Sequence, residues 1–569
     1  MSRTRSSVQQ LRDRPQADVL IIGGGINGIA TFRDLALQGV DVALVERGDF
    51  VSGASSASSH MIHGGIRYLE NGEFRLVQES VTERNRLLRS APHYVKPLET
   101  TIPIYSTFSG ILSAPFRLLV THGRGKPNER GAALIKMGLT LYDTFSRDGG
   151  QVPRHRFLGR RRSLEELPEM NPDLKYTATY FDASMHDPER LALDVLHDGQ
   201  VAGGDRARAA NYLPAVGFTE AGVTLRDETN GEEFNFSARV VLNTSGPWTD
   251  LTNEALGETT EFMGGTKGSH IVLDHPELLA ATRGREIFFE HSDGRIVLIY
   301  PLKDRVLVGT TDINADPREN AVCTSEEVDY FFDLISHVFP KIAVDRSQIV
   351  YTFSGIRPLP RHDDTTPGFV SRDYRIVASE ISGVPLLSLV GGKWTTFRAL
   401  AEHLTNDTLE LLGASRTTST EDLSIGGGAG FPQNDAERTK WLTAHSDGRE
   451  NSRVAQLLSR YGTRAEELLE NTPEVASDLV DLPGYTSDEL AHLAATEQVV
   501  HLDDLLLRRT SIAFVGGLTD ARLRAAATAI APALEWDEAR VDEEISRMSA
   551  LLRTSHRIDV QNGGVLTDI

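Results

Sequence analysis

Apolar and polar positions at the start of the chain predict alternating strands and helices. Residues 18–22 (DVLII) are a nearly continuous apolar run, typical of a parallel strand that is buried on both faces. Residues 29–38 have the spacing of a helix that Gly39 would end. A second apolar run, 41–45, finishes on Glu46. Together these elements predict a strand–helix–strand unit.

Beyond residue 90 the helix and strand patterns alternate irregularly. Residues 74–90 place apolar residues at helical spacing, two short apolar runs flank Lys303 and Asp304 as in a hairpin, and residues 239–243 predict another buried strand. This mixture favours a nucleotide-binding domain that is interrupted by a sheet-rich domain. We assign residues 18–90, 190–250 and 350–405 to the first domain, and residues 91–189 and 251–349 to the second.

The character of the sequence changes after residue 405. Residues 406–432 include a tract rich in Ser, Thr, Gly and Pro, which indicates a linker. Residues 433–569 lose the strand pattern, and Asp537 is a plausible N-cap of a last amphipathic helix. The expected fold class is an α/β Rossmann-like domain interleaved with an α+β sheet-rich substrate domain, plus a C-terminal all-α domain.

Length, charge and composition exclude several kinds of partner and binding site. The 569 residues suit two or three domains, and the net charge of −21 argues against nucleic acid as a partner. One cysteine excludes disulfides and cysteine-rich metal sites, and the 17 histidines form no ligand array, so no metal is expected. Residues 1–17 have no signal-peptide core, and no apolar run is long enough to span a membrane. We therefore expect a disordered tail and a cytoplasmic protein.

A dinucleotide fingerprint follows the first predicted strand. Gly23, Gly25 and Gly28 form G-x-G-x-x-G between the strand and the helix, and Glu46 ends the next strand. Gly23 would permit the tight turn, Gly25 the approach of a pyrophosphate, and Gly28 close packing of helix and strand. Glu46 would accept hydrogen bonds from a ribose diol and disfavour a 2′-phosphate. The fingerprint alone leaves NAD and FAD open.

The segment after Glu46 favours FAD. Its sequence SASSHMIHGG, residues 56–65, contains small hydroxyl residues followed by a glycine pair. Hydroxyls and backbone N–H groups in this position could extend along a long cofactor towards a flavin ring. The cofactor-binding residues expected from this segment are Ser55, Ser56, Ser59, His63, Gly64 and Gly65.

Several longer motifs carry a family resemblance. IIGGGINGIA, SSASSHMIHGGIRYLENGEFRLVQES, LNTSGPW, KGSHIV, VGTTD, YTFSGIRPL, SRDY and GGKWTTFRALAE occur in this order between residue 18 and about residue 405. Together with LDDLLLRRT near the C-terminus, they make the chain resemble the FAD-dependent glycerol-3-phosphate dehydrogenases of the respiratory, quinone-linked type.

The resemblance implies a function. Non-covalently bound FAD would take a hydride on N5 from C2 of sn-glycerol 3-phosphate, giving dihydroxyacetone phosphate, and the electrons would pass to a membrane quinone. Related oxidases use dioxygen instead. Peripheral contact with the inner face of the plasma membrane and a homodimer are further expectations. The segment 105–135 looks longer than the usual bacterial pattern.

Chemistry and resemblance together suggest roles for individual residues. His63 is our choice of general base because imidazole titrates near neutrality, although it could instead only orient the substrate. Arg357 and Arg372, which the resemblance places at the substrate, would hold the phosphate. Lys393 would place a positive charge near the flavin or the substrate. Further substrate-facing residues are Arg67, Tyr68, Lys267, Ser269 and Thr311, and further cofactor contacts are Ser245, Gly246, Trp248, Gly355, Gly392, Thr395 and Thr396.

Two other functional classes compete. An amine or 2-hydroxyacid oxidase would share the flavin fold, but its substrates carry a carboxylate, for which one arginine usually suffices. A flavin-binding redox sensor or scaffold would not need a base and a phosphate clamp. The arginines at 357 and 372 favour a phosphorylated substrate over both alternatives.

Overall fold

A computed structural model describes residues 5–65, 74–106, 132–146, 152–290, 295–361, 373–471, 478–561 and 564–566. The predictions for Arg67, Tyr68 and Arg372 lie outside these ranges, as does most of the 105–135 segment. The described strands form two large sheets and a short two-stranded ribbon.

The first sheet is the predicted nucleotide-binding sheet. Its strands run in the order Arg375–Ile381, Val384–Val390, Glu233–Asn243, Gln16–Ile22, Val42–Val45 and Ala207–Ala210, and a side ribbon adds Ala215–Thr219 and Gly222–Arg226. Gln16–Ile22 pairs in parallel with both of its neighbours. Val19 and Ile21 pack into one hydrophobic cluster, and Leu20 and Ile22 pack into another. Both faces of the strand are therefore buried, which explains its continuous apolar run.

The second sheet is mixed and carries the predicted substrate domain. Its strands are Met61–Ile62, Val95–Ile104, Arg156–Gly159, Tyr176–Met185, Met263–Leu273, Glu286–Glu290, Ile296–Leu302, Arg305–Gly309, Ile313–Asn314 and Ile349–Pro360. The predicted hairpin at Lys303 and Asp304 is confirmed, with both residues at positive φ.

Three parts of the predicted domain division need correction. Met61–Ile62 pairs in the second sheet, and the helix Phe397–Leu412 extends into the assigned linker 406–432. Ile349–Pro360 pairs antiparallel with Met263–Leu273 along nearly its whole length, so it belongs to the second sheet. The sequence had assigned 350–405 to the nucleotide-binding domain. Only the part from Arg375 onward lies in the first sheet.

The helices of the first two domains lie between and beside these sheets. They are Ser6–Asp13, Ile26–Leu37, Phe74–Ser90, Ala132–Ser146, Arg160–Glu166, Pro188–Gly203, Thr249–Ala255, Pro276–Ala281, Ser325–Val338 and Phe397–Leu412. The first of them corrects the expectation of a disordered tail. Val8 and Leu11 of this helix are fully buried against the first sheet, and Arg5 binds the side chain and the carbonyl of Asn211.

The C-terminal domain is helical, as predicted. Its helices are Asp435–His445, Asn451–Tyr461, Ala465–Asn471, Ser487–Thr496, Leu502–Asp504, Ile512–Val515, Asp520–Leu534 and Glu538–Ser555, and a π-helical turn spans Leu505–Arg509. Asp537 caps the last helix, as expected. A short ribbon of Ile558–Asp559 and Gly564–Val565 departs from the all-α expectation. Within the described ranges, no helix has the length and apolarity needed to cross a bilayer.

Candidate active site

The glycine-rich turn has the geometry that the fingerprint predicts. Gly23 has a φ of +116°, and a Cβ on it would lie 2.7 Å from the carbonyl of Thr244. A Cβ on Gly28 would lie 2.0 Å from the carbonyl oxygen of Gly23, so glycine allows the helix to touch the strand. A Cβ on Gly25 would meet only the hydroxyl of Ser55, at 3.3 Å. Apart from this hydroxyl, the described residues leave room at Gly25 for a phosphate to approach the helix N-terminus.

Gly28 provides a test of this packing. We expect Gly28→Ala to lower the free energy of unfolding by about 1–3 kcal/mol, because the added methyl group must push the helix off the strand. The flavin content of the purified protein should fall with it. Urea unfolding and the visible absorbance of the protein measure the two effects.

Gly138→Ala is the matched control, since Gly138 also lies inside a helix but a Cβ there meets nothing within 4 Å. It should leave stability and flavin content unchanged or slightly raised. Equal behaviour of the two variants would contradict the packing role of Gly28.

Glu46 lies at the end of the second strand and is fixed by the backbone. Its carboxylate accepts hydrogen bonds from the N–H of Gly24 at 2.6 Å and of Gly48 at 2.9 Å. Burial raises the pKa of Glu46, although these two hydrogen bonds oppose the shift. Each carboxylate oxygen keeps a second lone pair for a ribose hydroxyl.

The serine-rich segment contributes one hydroxyl to the helix N-terminus. Ser55 Oγ accepts a hydrogen bond from the N–H of Ile26 at 3.0 Å. Ser56 instead bonds to the carbonyl of Gly53, and Ser59 lies 2.8 Å from Nε2 of His270. Ser55 is therefore the serine of this segment that the structure brings to the glycine-rich turn.

The GGKWTT turn joins the glycine-rich turn to the HGG segment. A Cβ on Gly392 would lie 2.6 Å from Nδ2 of Asn27, and the indole N–H of Trp394 donates to the carbonyl of Ser55 at 2.9 Å. Thr395 Oγ1 donates to the carbonyl of His63 at 3.4 Å. Residues more than 330 positions apart in sequence thus meet at one place.

Two polar atoms at this meeting point have no partner among the described residues. Oδ1 of Asn27 and Oγ1 of Thr396 are both buried and make no hydrogen bond there. Such atoms are costly unless a ligand or water satisfies them. Together with the space at Gly25 and the fixed carboxylate of Glu46, they fit a bound FAD.

Several of the remaining predicted cofactor residues lie against the glycine-rich turn or the serine-rich segment. Ser245 and Gly246 lie just after the strand Glu233–Asn243, beside Gly23, with Gly246 at a φ of +63°. The indole of Trp248 lies under Arg47, 4.0 Å from the guanidinium to the ring centre. A Cβ on Gly355 would lie 2.3 Å from Cβ of Ala57, so the Ile349–Pro360 strand passes directly over the serine-rich segment.

Lys393 points to the helix Phe74–Ser90. Its Nζ donates to Ser80 Oγ at 2.6 Å. Glu79 lies nearby, and burial raises the pKa of this carboxyl group against the charges of Arg75 and Lys393. The Lys393 ammonium is therefore held between the GGK turn and the helix Phe74–Ser90.

The HGG backbone is anchored by residues that sequence reasoning did not identify. The N–H of Gly64 donates to Asp182 Oδ1 at 3.0 Å, and the same oxygen accepts from Arg84 and from the Tyr142 hydroxyl, both at 2.8 Å. All three partners are almost completely buried. No local motif marks this network because its members come from two helices and one strand.

Arg357 is held over a glycine. Its guanidinium donates to Asp312 at 3.1 Å, and to Oγ1 of Thr310 and the carbonyl of Thr311 at 2.8 Å. A Cβ on Gly268 would lie 2.0 Å from this guanidinium. Arg357 shares a strand face with Gly355, which lies over Ala57, so its charge is held beside the serine-rich segment.

The pKa of His270 is affected by Arg357, which lies nearby. Burial, together with the charge of Arg357, keeps the pKa of the His270 imidazole well below its ordinary value. This neutral ring lies 2.8 Å from Ser59 Oγ and stacks on Phe353. Arg357 therefore lies close enough to act electrostatically on the ring of His270, the partner of Ser59.

Three predicted substrate residues bind a carboxylate of the protein instead. Lys267, Ser269 and Thr311 each lie within 2.8 Å of the Glu327 carboxylate. Burial alone would raise the pKa of Glu327, but these hydrogen bonds hold it below its ordinary value. Because these polar groups are already bonded to Glu327, we favour a role for the three residues in supporting the site rather than in binding the substrate. The T-x-x-E capping box of residues 324–327 is the sequence signal that could have identified Glu327.

Comparison with family models gives two matches. Residues 18–398, more than half of the chain, match the model described as FAD dependent oxidoreductase. Residues 418–541 match the model described as the C-terminal domain of alpha-glycerophosphate oxidase.

Relatives and a solved structure agree with these matches. The chain is 34% identical over 525 residues to a glycerol-3-phosphate dehydrogenase of Synechocystis sp., covering 88% of this chain and 89% of that protein. It is 31% identical to the D-erythritol 1-phosphate dehydrogenase of Brucella abortus, covering 87% and 94%. The fold matches the glycerol-3-phosphate dehydrogenase from Bacillus halodurans complexed with FAD, with a TM-score of 0.71, 22% identity and coverage of 96% and 98%.

Proposed function

The chain belongs to the FAD-dependent oxidoreductase family that includes the glycerol-3-phosphate dehydrogenases, and from this premise we propose that it oxidises sn-glycerol 3-phosphate to dihydroxyacetone phosphate. FAD is its cofactor and, when bound, supplies the hydride acceptor. The observation that most directly supports this proposal is the position of the Arg357 guanidinium. Asp312, Thr310 and Thr311 hold it next to the segment that contains His63.

Oxidation of a secondary alcohol requires removal of the hydroxyl proton. We propose that His63 accepts this proton from the C2 hydroxyl. The backbone contacts support this role. The Thr395 hydroxyl donates to the carbonyl of His63, and the N–H of Gly64 donates to Asp182. The imidazole would thus be presented from a backbone that is fixed on both sides.

The substrate must also be held and the developing negative charge stabilised. We propose that Arg357 binds the phosphate dianion, for which a guanidinium fork is well matched. Arg67, Tyr68 and Arg372 remain proposed substrate contacts. The Lys393 ammonium, bonded to Ser80, would stabilise negative charge where it develops during reduction.

A second phosphorylated polyol is a real alternative. The relative from Brucella abortus is named for D-erythritol 1-phosphate, which differs from glycerol 3-phosphate by one CHOH group. The same base and the same phosphate contact would serve both substrates. The length of the pocket would then decide between them.

Anaerobic flavin reduction distinguishes these possibilities. We expect sn-glycerol 3-phosphate to bleach the visible flavin absorbance of the holoprotein, with glycerol and inorganic phosphate as inactive controls. Faster bleaching by erythritol 1-phosphate would select the longer substrate. Bleaching by lactate or glycine would instead indicate a carboxylate-recognising oxidase, and the absence of bleaching by any of them would refute the proposed activity.

We propose a quinone as the electron acceptor, which would bring the protein into peripheral contact with a membrane. The relatives named as dehydrogenases support an acceptor other than dioxygen. Turnover with a soluble quinone analogue, compared with hydrogen peroxide formed in air, tests this acceptor. Peroxide formed at the rate of substrate oxidation would identify an oxidase.

A further inference from the structure

A buried cluster connects the C-terminal domain to the loop after Glu46. Asp49, three residues after Glu46, is fully buried and bonds to Arg508 and Arg509 of the C-terminal domain, with Arg509 Nη2 at 2.8 Å. We call Asp49, Arg508 and Arg509 the arginine clamp. Burial alone would raise the pKa of Asp49, but the charges of Arg509 and Arg508 bring it below its ordinary value.

The local fold explains how neighbouring arginines reach one carboxylate. Both belong to the π-helical turn Leu505–Arg509. Arg508 also donates to Asp503 at 2.9 Å and to Asp504 at 2.7 Å, and Arg509 donates to the carbonyl of Glu497 at 2.8 Å. The arginines are therefore oriented by their own domain before they meet Asp49.

A second set of contacts involves Asn211 and Tyr212, which directly follow the strand Ala207–Ala210. The Asn211 side chain donates to Asp49 at 2.8 Å and to the carbonyl of Gln498 at 3.0 Å. The Tyr212 hydroxyl donates to Asp504 at 2.6 Å. The C-terminal domain thus holds the Asp49 loop and the strand end at 211–212 together.

The same two segments enclose Glu46. The N–H of Leu213 donates to the carbonyl of Glu46 at 2.7 Å, and the N–H of Tyr212 donates to the carbonyl of Gly48 at 2.8 Å. The N–H of Gly48 in turn holds the Glu46 carboxylate. A shift of Asp49 would therefore move the group expected to bind the ribose of FAD.

We infer that the C-terminal domain sets the affinity for FAD by holding the Glu46 loop through the arginine clamp. Arg508 and Arg509 act as positioning residues, since their contacts reach the cofactor site through Asp49. Without one arginine, the Asp49 carboxylate is buried without full compensation, and the loop must open to hydrate it. This inference requires FAD as the cofactor but does not depend on which alcohol is oxidised.

Titration of apoprotein with FAD, followed by flavin fluorescence, tests the inference. We expect Arg509→Met and the near-isosteric Asp49→Asn each to raise the dissociation constant of FAD about tenfold or more. At saturating FAD, the Michaelis constant for the alcohol should be unchanged. Arg524→Met is the control, since Arg524 pairs with Asp542 on the exposed surface of the same domain.

Folded Arg509→Met and Asp49→Asn proteins that bind FAD as tightly as the unaltered protein would overturn the inference. So would equal losses of thermal stability with and without FAD, which indicate a purely structural clamp. If these variants do not fold, Tyr212→Phe decides, because it removes only the hydroxyl that bonds to Asp504. An FAD affinity of Tyr212→Phe equal to that of the Arg524→Met control would then refute the inference.

Discussion

Replacing His63 by glutamine is expected to slow flavin reduction by sn-glycerol 3-phosphate by about 10²–10⁴-fold, the range for removal of a general base. Glutamine keeps a polar side chain of similar length but cannot accept a proton near neutral pH. The apparent dissociation constant of the substrate should change little, because the phosphate contact at Arg357 remains. FAD content should also persist, since the turn around Ser55 and Gly392 is unchanged.

Anaerobic stopped-flow measurement of the flavin absorbance separates these quantities. The limiting rate at high substrate reports the proton and hydride step, and its concentration dependence reports binding. His403→Gln is a suitable control because His403 is an exposed helix residue. If His63→Gln is reduced as fast as this control, His63 orients the substrate at most, and another group must take the proton.

The fold could be predicted where local pattern and burial agree. The continuous apolar run 18–22 and the glycines after it required no knowledge of distant residues, and both lie where the sequence predicts. The hairpin at Lys303 was also predictable, because its strands are neighbours in sequence.

Predictions failed where long-range pairing decided the outcome. The strand Ile349–Pro360 contains GIRP, which the sequence assigned with the motifs that follow it, but its hydrogen bonds go to Met263–Leu273. The helix Ser6–Asp13 has only two buried residues and no side-chain N-cap, so its local signal was weak. Its contacts are distant in sequence: Val8 and Leu11 pack on the first sheet, and Arg5, just before the helix, bonds to Asn211.

The residues of the candidate site were likewise predictable from sequence only in part. Glycine-rich motifs such as GGK can be recognised because each needs several special residues in a row, and the structure brings Gly392 to Asn27. Asp182 binds the HGG backbone and Arg84 binds Asp182, and a single buried carboxylate leaves no pattern in one sequence. Lys267 shows the opposite case, since the structure pairs this motif residue, predicted to face the substrate, with the buried Glu327.

Replacing Arg357 by lysine is expected to weaken binding of sn-glycerol 3-phosphate by about 10- to 150-fold, because the loss of charge-assisted hydrogen bonds costs about 1.5–3 kcal/mol. Lysine keeps the positive charge beside Asp312, so folding should survive. It cannot reproduce the planar fork that reaches Thr310 and the carbonyl of Thr311 while facing a phosphate. The substrate dependence of anaerobic flavin reduction measures the effect.

A second variant tests the same contact without touching the arginine. Gly268→Ala would place a methyl group 2.0 Å from the guanidinium, so it should displace Arg357 and weaken substrate binding in the same direction. Arg318→Lys is the control, because its side chain is 63% exposed on the same domain. Unchanged substrate affinity in both Arg357→Lys and Gly268→Ala, with FAD still bound, would remove Arg357 from the phosphate site and leave that role to residues on other segments.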